Sequence, residues 1–332
     1  MICKTVNLCK EDLRSLKALL WNYLYHLLRR YNGIEHEKYI EYVIEILKTS
    51  SFESKKHILI LAKHSAKTDG LIMLKKLDWD FRYFGIPMGR IEYLIANGAY
   101  QKSVNIKIRL LRTLFQECKC ENVRHLTARV DIEDISSIHA LEETGFKLMT
   151  TEHIGIIDKK SSQFLQIKPV NGLIIRKFRK SDLAEIVKIG KDISSSVYSR
   201  FAFDPGLRFD KSRRYYIKVT QNIYSYADRI FVGVKDNKII GFIAYKLFDE
   251  LFTKIIKRKM AFVVLGGILS SQRRKGIGTF IFGNADRFLL KEVDAIMGRV
   301  YLHNIPMFEF IKKQRDVYQS LTIQHCFHKF LE

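Results

Sequence analysis

The chain has 332 residues, 47% of them apolar, and 57 Lys and Arg against 35 Asp and Glu give it a formal charge of +22. It is long enough for two domains with real cores. The charge predicts a surface that attracts polyanions, whether nucleic acid, acidic lipid or phosphorylated small molecules, without choosing among them. Five cysteines (Cys3, Cys9, Cys118, Cys120 and Cys326) stand at irregular spacing, and no second Cys or His pair completes a zinc pattern, so a reducing compartment is expected. The opening "MICKTVNLCKEDLRS" lacks the order of a signal peptide, and no apolar run reaches the roughly 18 residues of a membrane span. A soluble, cytoplasmic protein is the expectation.

Residues 11–65 read as helix-rich, with Leu13, Leu16, Leu19, Leu20, Leu24 and Leu27 near one face. Extended segments follow at "MGRIEYLIA" and "VRHLTARV", separated by the helical "KSVNIKIRLLRTLFQEC". In "DIEDISSIHALEETGF", Asp134 can cap a helix that ends at Gly145, and Phe146 opens the strand "FKLMTTEHIGII". The aromatics Trp79, Phe81, Tyr83 and Phe84 are expected to pack together on an edge segment. After a polar stretch over residues 158–172, "LIIRKFRKSDLAEIVKIG" predicts a strand and a helix capped by Ser181. "RIFVGVKDNKIIGFIAYKL" then predicts a hairpin turning at "KDNK". The similar order of elements in the two halves makes a degenerate tandem duplication plausible.

The segment that points to chemistry follows the apolar strand "AFVVLGGI". It reads "LSSQRRKGIG" and runs into "TFIFGNADRFLL", which has helical spacing. At such a strand-to-helix junction the first helical N–H groups lack internal partners and the helix dipole is positive, so a phosphate is stabilised there. A side chain at Gly276 or Gly278 would hold the phosphate oxygens off the backbone. Arg273, Arg274 and Lys275 can add charge-assisted hydrogen bonds of about 1.5–3 kcal/mol each. The Walker and dinucleotide fingerprints do not fit this spacing. A basic surface turn is the bland alternative.

Arg273, Gly276 and Gly278 fall on the R-x-x-G-x-G positions of the GNAT superfamily of N-acetyltransferases, which this loop resembles. "VYLHN" is similar to that family's next strand, with Asn304 at its cofactor-contacting asparagine, and "LTIQHCFHKFL" to its closing strand. Within the superfamily, "SVYSRFAFDPGLRFDKSRRYYIKVTQNIY", "LDWDFRYFGIPMGRI" and "ARVDIEDISSIHALEETGF" resemble dTDP-fucosamine (dTDP-4-amino-4,6-dideoxygalactose) N-acetyltransferases, a likeness covering residues 70–332. The fold class this implies is α/β (α+β): two tandem GNAT-like units, each a mixed, mostly antiparallel sheet flanked by helices. The domains expected are a degenerate GNAT-like one with a helical start at 1–165, and an acetyltransferase domain binding acetyl-coenzyme A at 172–332.

The resemblance implies transfer of acetyl from acetyl-coenzyme A to an amine, the acceptor being a nucleotide-linked amino sugar. Its cofactor residues would be Gly267, Ile268, Arg273, Arg274, Lys275, Gly276, Ile277, Gly278, Thr279 and Asn304, with Gly267 and Ile268 offering N–H groups to the thioester oxygen. Arg200 and Phe201 would line the acceptor, a helix-end ion pair and a core aromatic being their structural alternatives. The family's acid, a tyrosine seven residues after the asparagine, is replaced by Ile311, and the Gly-Phe that follows by Arg315-Asp316. A slipped register would put Tyr318 in that role. No metal, nucleic acid or membrane span is expected, His325 and His328 read as structural, and a homodimer is admitted. Three rivals stay open: a GNAT acting on a peptide, amino acid or antibiotic amine, a weak acyl-coenzyme A binding module, and a nucleic-acid binder.

Overall fold

The computed structural model describes residues 2–5, 8–65, 67–196, 199–314 and 316–332. Val197, Tyr198 and Arg315, which enter the resemblance above, lie outside them. The chain divides into two compact units, Met1–Thr151 with Thr322–Glu332, and Glu152–Leu321. The last eleven residues therefore group with the first unit, whereas the sequence placed them in a domain at 172–332.

In chain order the elements are β1 (Ile2–Thr5), α1 (Lys10–Asn22), α2 (His36–Phe52), β2 (His57–His64), β3 (Lys67–Lys76), α3 (Asp78–Phe84), β4 (Met88–Ala96), α4 (Tyr100–Cys120), β5 (His125–Asp131), α5 (Ile135–Glu143) and β6 (Lys147–Asp158). They continue with β7 (Leu173–Lys177), α6 (Leu183–Ser196), α7 (Phe209–Arg213), α8 (Tyr215–Gln221), α9 (Ile223–Tyr226), β8 (Arg229–Lys235), β9 (Lys238–Leu247), α10 (Glu250–Ile256), β10 (Met260–Ile268), α11 (Ile277–Leu289), β11 (Ala295–Tyr301), α12 (Ile305–Lys313) and β12 (Gln319–Phe330). Among the described residues, no helix is long and apolar enough to cross a membrane.

The first unit orders its strands β1-β2-β3-β4-β5-β12, antiparallel except for β4 with β5. Leu110, Leu111 and Leu114 of α4 are completely buried against this sheet, each contributing about 1.5–3 kcal/mol by burial. The leucine stripe is shorter than expected. Leu16, Leu19 and Leu20 are buried, but α1 stops at Asn22 and Leu24 is exposed beyond it. Nor does helix extend to residue 65, because His57–His64 is a strand buried on both faces, which hides the alternation that betrays a strand. The aromatics at 79–84 are also not on an edge strand. They form α3, whose four-residue spacing stacks Trp79 on Tyr83 with ring centroids 5.5 Å apart.

The second unit orders its strands β6-β11-β10-β9-β8-β7, with only β10 and β11 parallel. Alternation along β9 sends Phe242 and Ala244 to Ile186, Ile189 and Ile193 of α6, and Ile243 and Tyr245 to Ile281, Ala285 and Leu289 of α11. The β8–β9 hairpin turns at Asp236 and Asn237, with φ of 49° and 57°, the left-handed pair that a type I′ turn requires. Ser181 does not cap α6. It is exposed in a short 3₁₀ turn, and the carboxylate of Asp182 accepts the Arg179 N–H at 2.7 Å instead.

Candidate functional site

The site begins where two strands part. β10 and β11 are joined through Met260↔Ala295, Ala261↔Ile296 and Phe262↔Met297 only, although the strands continue to Ile268 and Tyr301. Each keeps its other neighbour, β10 pairing with β9 as far as Ile268↔Gly241 and β11 with β6 as far as Tyr301↔Glu152. Beyond Phe262 and Met297 the facing edges present backbone groups with no ladder between them, a slot that can take an extended amide-bearing chain. A bulge between Val263 and Leu265 adds a residue to β10 at the root of this slot.

Which N–H groups face the slot follows from the β9 register. Leu269 donates to the Ile240 carbonyl at 3.0 Å, and alternation in an antiparallel ladder then turns the N–H of Gly267 toward β9 as well. Those of Gly266 and Ile268 turn to the slot. The two residues chosen from sequence thus differ in role. Ile268 can donate, while Gly267 is a place of close packing, since a Cβ there would stand 2.1 Å from Cδ1 of Ile193 on α6.

After Ile268 the chain makes a 3₁₀ turn at Ser270–Gln272 and enters α11 with Gly276 as its N-cap. Arg274 at φ 61° and Gly276 at φ 74° are left-handed, and interleaving such residues with right-handed ones turns successive N–H groups toward one concave side. The concavity is open. A Cβ built on Gly276 meets nothing within 4 Å, and one on Gly278 meets only Ile268 at 3.7 Å, so neither glycine is demanded by the protein's own packing around its Cβ. The residues present therefore fit a phosphate-bearing ligand, with the N–H groups of Ile277, Gly278 and Thr279 at the uncapped start of a 13-residue helix.

The cations divide. Arg273 lies back on the loop, its Nε donating to the Ile268 carbonyl at 3.2 Å and its guanidinium 3.6 Å from the Asp192 carboxylate. Arg274 and Lys275 are exposed, Lys275 donating to the Ser271 carbonyl at 3.0 Å. Asp192, on α6, also accepts the Ser270 N–H, so it fixes both ends of the loop's first turn. Sequence reasoning missed Asp192, because only the packing of α6 against Gly267 brings it there.

On the α6 side of the sheet, Arg200 is 7% exposed, with its guanidinium carbon 4.1 Å from the Phe201 ring centroid and its N–H donating to the Tyr301 hydroxyl at 3.4 Å. Phe201 is completely buried beside Tyr215, which gives it a packing position. Arg299, on the slot stretch of β11, is 2.9 Å from the carboxylate of fully buried Glu152. Neither partner carried a signal in the sequence.

Asn304 is the N-cap of α12 but makes no side-chain capping bond. Ile311 lies on the same helix, half-buried, with no proton to give. Tyr318 is engaged elsewhere: its hydroxyl donates to Asp286 Oδ2 at 2.6 Å, and Tyr245 donates to Oδ1 at the same distance. Burial and the Asp286 charge hold the Tyr318 phenol well above its ordinary pKa. His325 is 2.9 Å from the Thr151 hydroxyl, and His328 packs edge-on against His125 with ring centroids 5.0 Å apart.

Residues 196–315 match the family described as "Acetyltransferase (GNAT) family". The fold is similar to a tandem GNAT protein from the clavulanic acid biosynthesis pathway (TM-score 0.57, 11% identity, covering 100% of this chain and 99% of that one). It is similar also to a GCN5-related N-acetyltransferase from Sphaerobacter thermophilus (TM-score 0.58, 13% identity, 100% and 96% covered). A third likeness is to a glucosamine N-acetyltransferase region in a fungal multi-domain β-N-acetylglucosaminidase (TM-score 0.61, 14% identity, 99% of this chain and 38% of that one). No curated protein matches the chain. Residues 196–315 thus match the GNAT acetyltransferase family, in a chain with the mixed α/β architecture of a tandem GNAT fold.

Proposed function

We propose that the protein is an acetyl-coenzyme A dependent N-acetyltransferase whose acceptor is the amine of a nucleotide-linked amino sugar. The observation that carries the transferase reading is the parting of β10 from β11 after Phe262↔Met297, with the open Arg273–Thr279 concavity at the far end of the same strand. Acetyl-coenzyme A supplies the thioester. The N–H groups of α11's first turn, with Arg274 and Lys275, hold the pyrophosphate, and the edges of β10 and β11 hold the extended arm. Ile268 and Gly266 aim N–H groups at the slot, where they stabilise the oxygen that gains charge as the amine adds.

The neutral amine attacks directly, and the enzyme contributes alignment more than a covalent relay. The C–N bond forms, the C–S bond breaks, and the proton lost from nitrogen balances the one gained by the thiolate. On this reading Ile311 needs no substitute acid, and Tyr318 acts as a tie through Asp286. For the acceptor, the support is buried Arg200 and the segment Arg208–Arg214, where four cations accompany exposed Phe209, with Arg213 lying 5.2 Å over its ring. Such a surface suits an anionic nucleotide. Ile311 also favours one rival, an acyl-coenzyme A binder without turnover.

Calorimetric titration with acetyl-coenzyme A at two salt concentrations tests the donor site, one-site binding that survives moderate salt being the expected result. Thiol release in the presence of nucleotide amino sugars, and of peptide and amino-acid amines, tests the rest. Binding without release for any amine establishes the binder, and no binding removes both readings.

A further inference from the structure

The first unit repeats, on its own strands, the divergence seen in the second. β4 and β5 run parallel from Met88↔His125 to Ile91↔Ala128, after which β4 continues to Ala96 and β5 to Asp131 with no ladder between them. At the mouth of this gap lies a cleft of about 590 Å³, within the size range of small-molecule sites.

Its chemistry is unlike that of the β10–β11 slot. Only Asn97, Gly98 and Ala99 connect β4 to α4, and none is a cation. The floor is Lys107 of α4, 1% exposed, whose Nζ donates to Asp134 Oδ1 at 2.9 Å and to the hydroxyls of Ser136 and Ser137 at 2.7 Å each. The Ser137 hydroxyl in turn donates to Asp134 Oδ2 at 2.6 Å and lies 3.4 Å from the Leu94 carbonyl of β4. A pyrophosphate-bearing thioester therefore lacks here the basic loop that follows β10.

Charge in the cleft is balanced, in a chain of +22. Lys107 is neutralised by Asp134, and Glu133 by Arg30. An anionic ligand finds the floor cation already paired with Asp134, and a cationic one finds Glu133 already paired with Arg30. The walls include tyrosine rings at 23, 25 and 100 and side-chain amides at Asn97 and Asn22, the latter donating to the Ala18 carbonyl at 2.9 Å, with Leu24 and Ile135 exposed at 57% and 46% on the rim. Aromatic and aliphatic faces beside groups that both donate and accept suit a ring with apolar C–H faces and hydroxyl edges.

We propose that this cleft is a binding site for an uncharged, hydroxyl-bearing small molecule of mono- to disaccharide size, its ring lying against Tyr100 and its hydroxyls on Asn22 and Asn97. The site is separate from the acetyl-donor slot, and stands or falls independently of it.

The test is calorimetric and NMR titration of the full chain with three neutral probes, methyl glucoside, N-acetylglucosamine and maltose, alongside glucose 6-phosphate and glucuronate. The expected result is saturable, salt-insensitive binding of at least one neutral probe, retained when acetyl-coenzyme A is saturating. Tyr100→Ala and Asn97→Ala should each weaken it about tenfold or more, near 1.4 kcal/mol. Tyr100 is half exposed at the rim, and thermal unfolding of both variants confirms that the fold is kept. Failure of all three neutral probes at tens of millimolar, tighter binding of the charged sugars, or undiminished binding in both variants overturns the proposal.

Discussion

Tyr318 and Tyr245 donate to the two oxygens of Asp286, each at 2.6 Å, so one buried carboxylate ties the segment after α12, and β9, to α11. Burial raises the Asp286 pKa from 3.8 to about 6, against the lowering effect of the two hydroxyls. A carboxyl that holds its proton more tightly folded than unfolded stabilises the fold fully below 3.8, and this contribution is lost as the pH rises through about 6. Over that window, unfolding free energy should fall by about 3 kcal/mol more in the wild type than in Asp286→Asn. Urea titrations at both ends of the window measure the difference, and parallel curves for the two proteins would clear Asp286.

For Tyr318 itself, replacement by Phe leaves Asp286 one donor short and should cost about 1–3 kcal/mol of stability. Because the hydroxyl is committed to Asp286, kcat should stay within about threefold of wild type, a barrier change under 1 kcal/mol. Steady-state kinetics with thiol release decides it. A large loss of kcat at unchanged KM would restore Tyr318 as the acid.

Gly278→Asp separates ligand binding from folding. The new side chain touches only Ile268 at ordinary contact distance, and a carboxylate in the first turn of α11 favours the helix dipole. It also places a negative charge where the pyrophosphate would sit. Acetyl-coenzyme A binding should drop by about 100-fold or more, some 3 kcal/mol, with thermal stability unchanged. Unaltered affinity in a folded Gly278→Asp protein would remove the phosphate cradle.

In the first unit, Lys107→Met strands the buried Asp134 carboxylate and should destabilise the protein by about 3–5 kcal/mol. Burial pushes the Lys107 pKa down, while the lysine holds Asp134 below its usual range in spite of burial. Adding Asp134→Asn removes the unpaired charge and should recover part of the loss. Chemical denaturation of the single and double variants provides the cycle, and additive effects would mean that the two residues do not interact.

The strand, loop and helix from Met260 to Leu289 were legible because each step is local: an apolar run, a glycine where φ is positive, and an amphipathic period. The β8–β9 turn was legible for the same reason. His57–His64 was not, since burial on both faces erased its alternation, and Ser181 lost its cap to Asp182, one residue on. At the site, the sequence marked the loop but not what steadies it. Asp192 sits 81 residues from Arg273 and belongs to the loop only because α6 packs onto Gly267. Gly267 and Ile268 looked equivalent as neighbours, and only the ladder register distinguishes an N–H turned to β9 from one turned to the slot. Counting along the chain reaches Tyr318 but cannot see its hydrogen bond to Asp286 of α11.

The pairing of β12 with β5, from Gln324↔Asp131 to Phe330↔His125, sets an order of events during synthesis. Domains emerging from the ribosome generally fold N-terminal first. Here the edge of β5 must wait until residue 330 has been made, because everything between Glu152 and Leu321 belongs to the other unit. Until then β5 shows an unpaired strand edge, the kind of surface that recruits stray strands. A nascent chain halted before residue 322 would leave β5 without this partner, so a strand made early reaches its final state only when the last strand arrives.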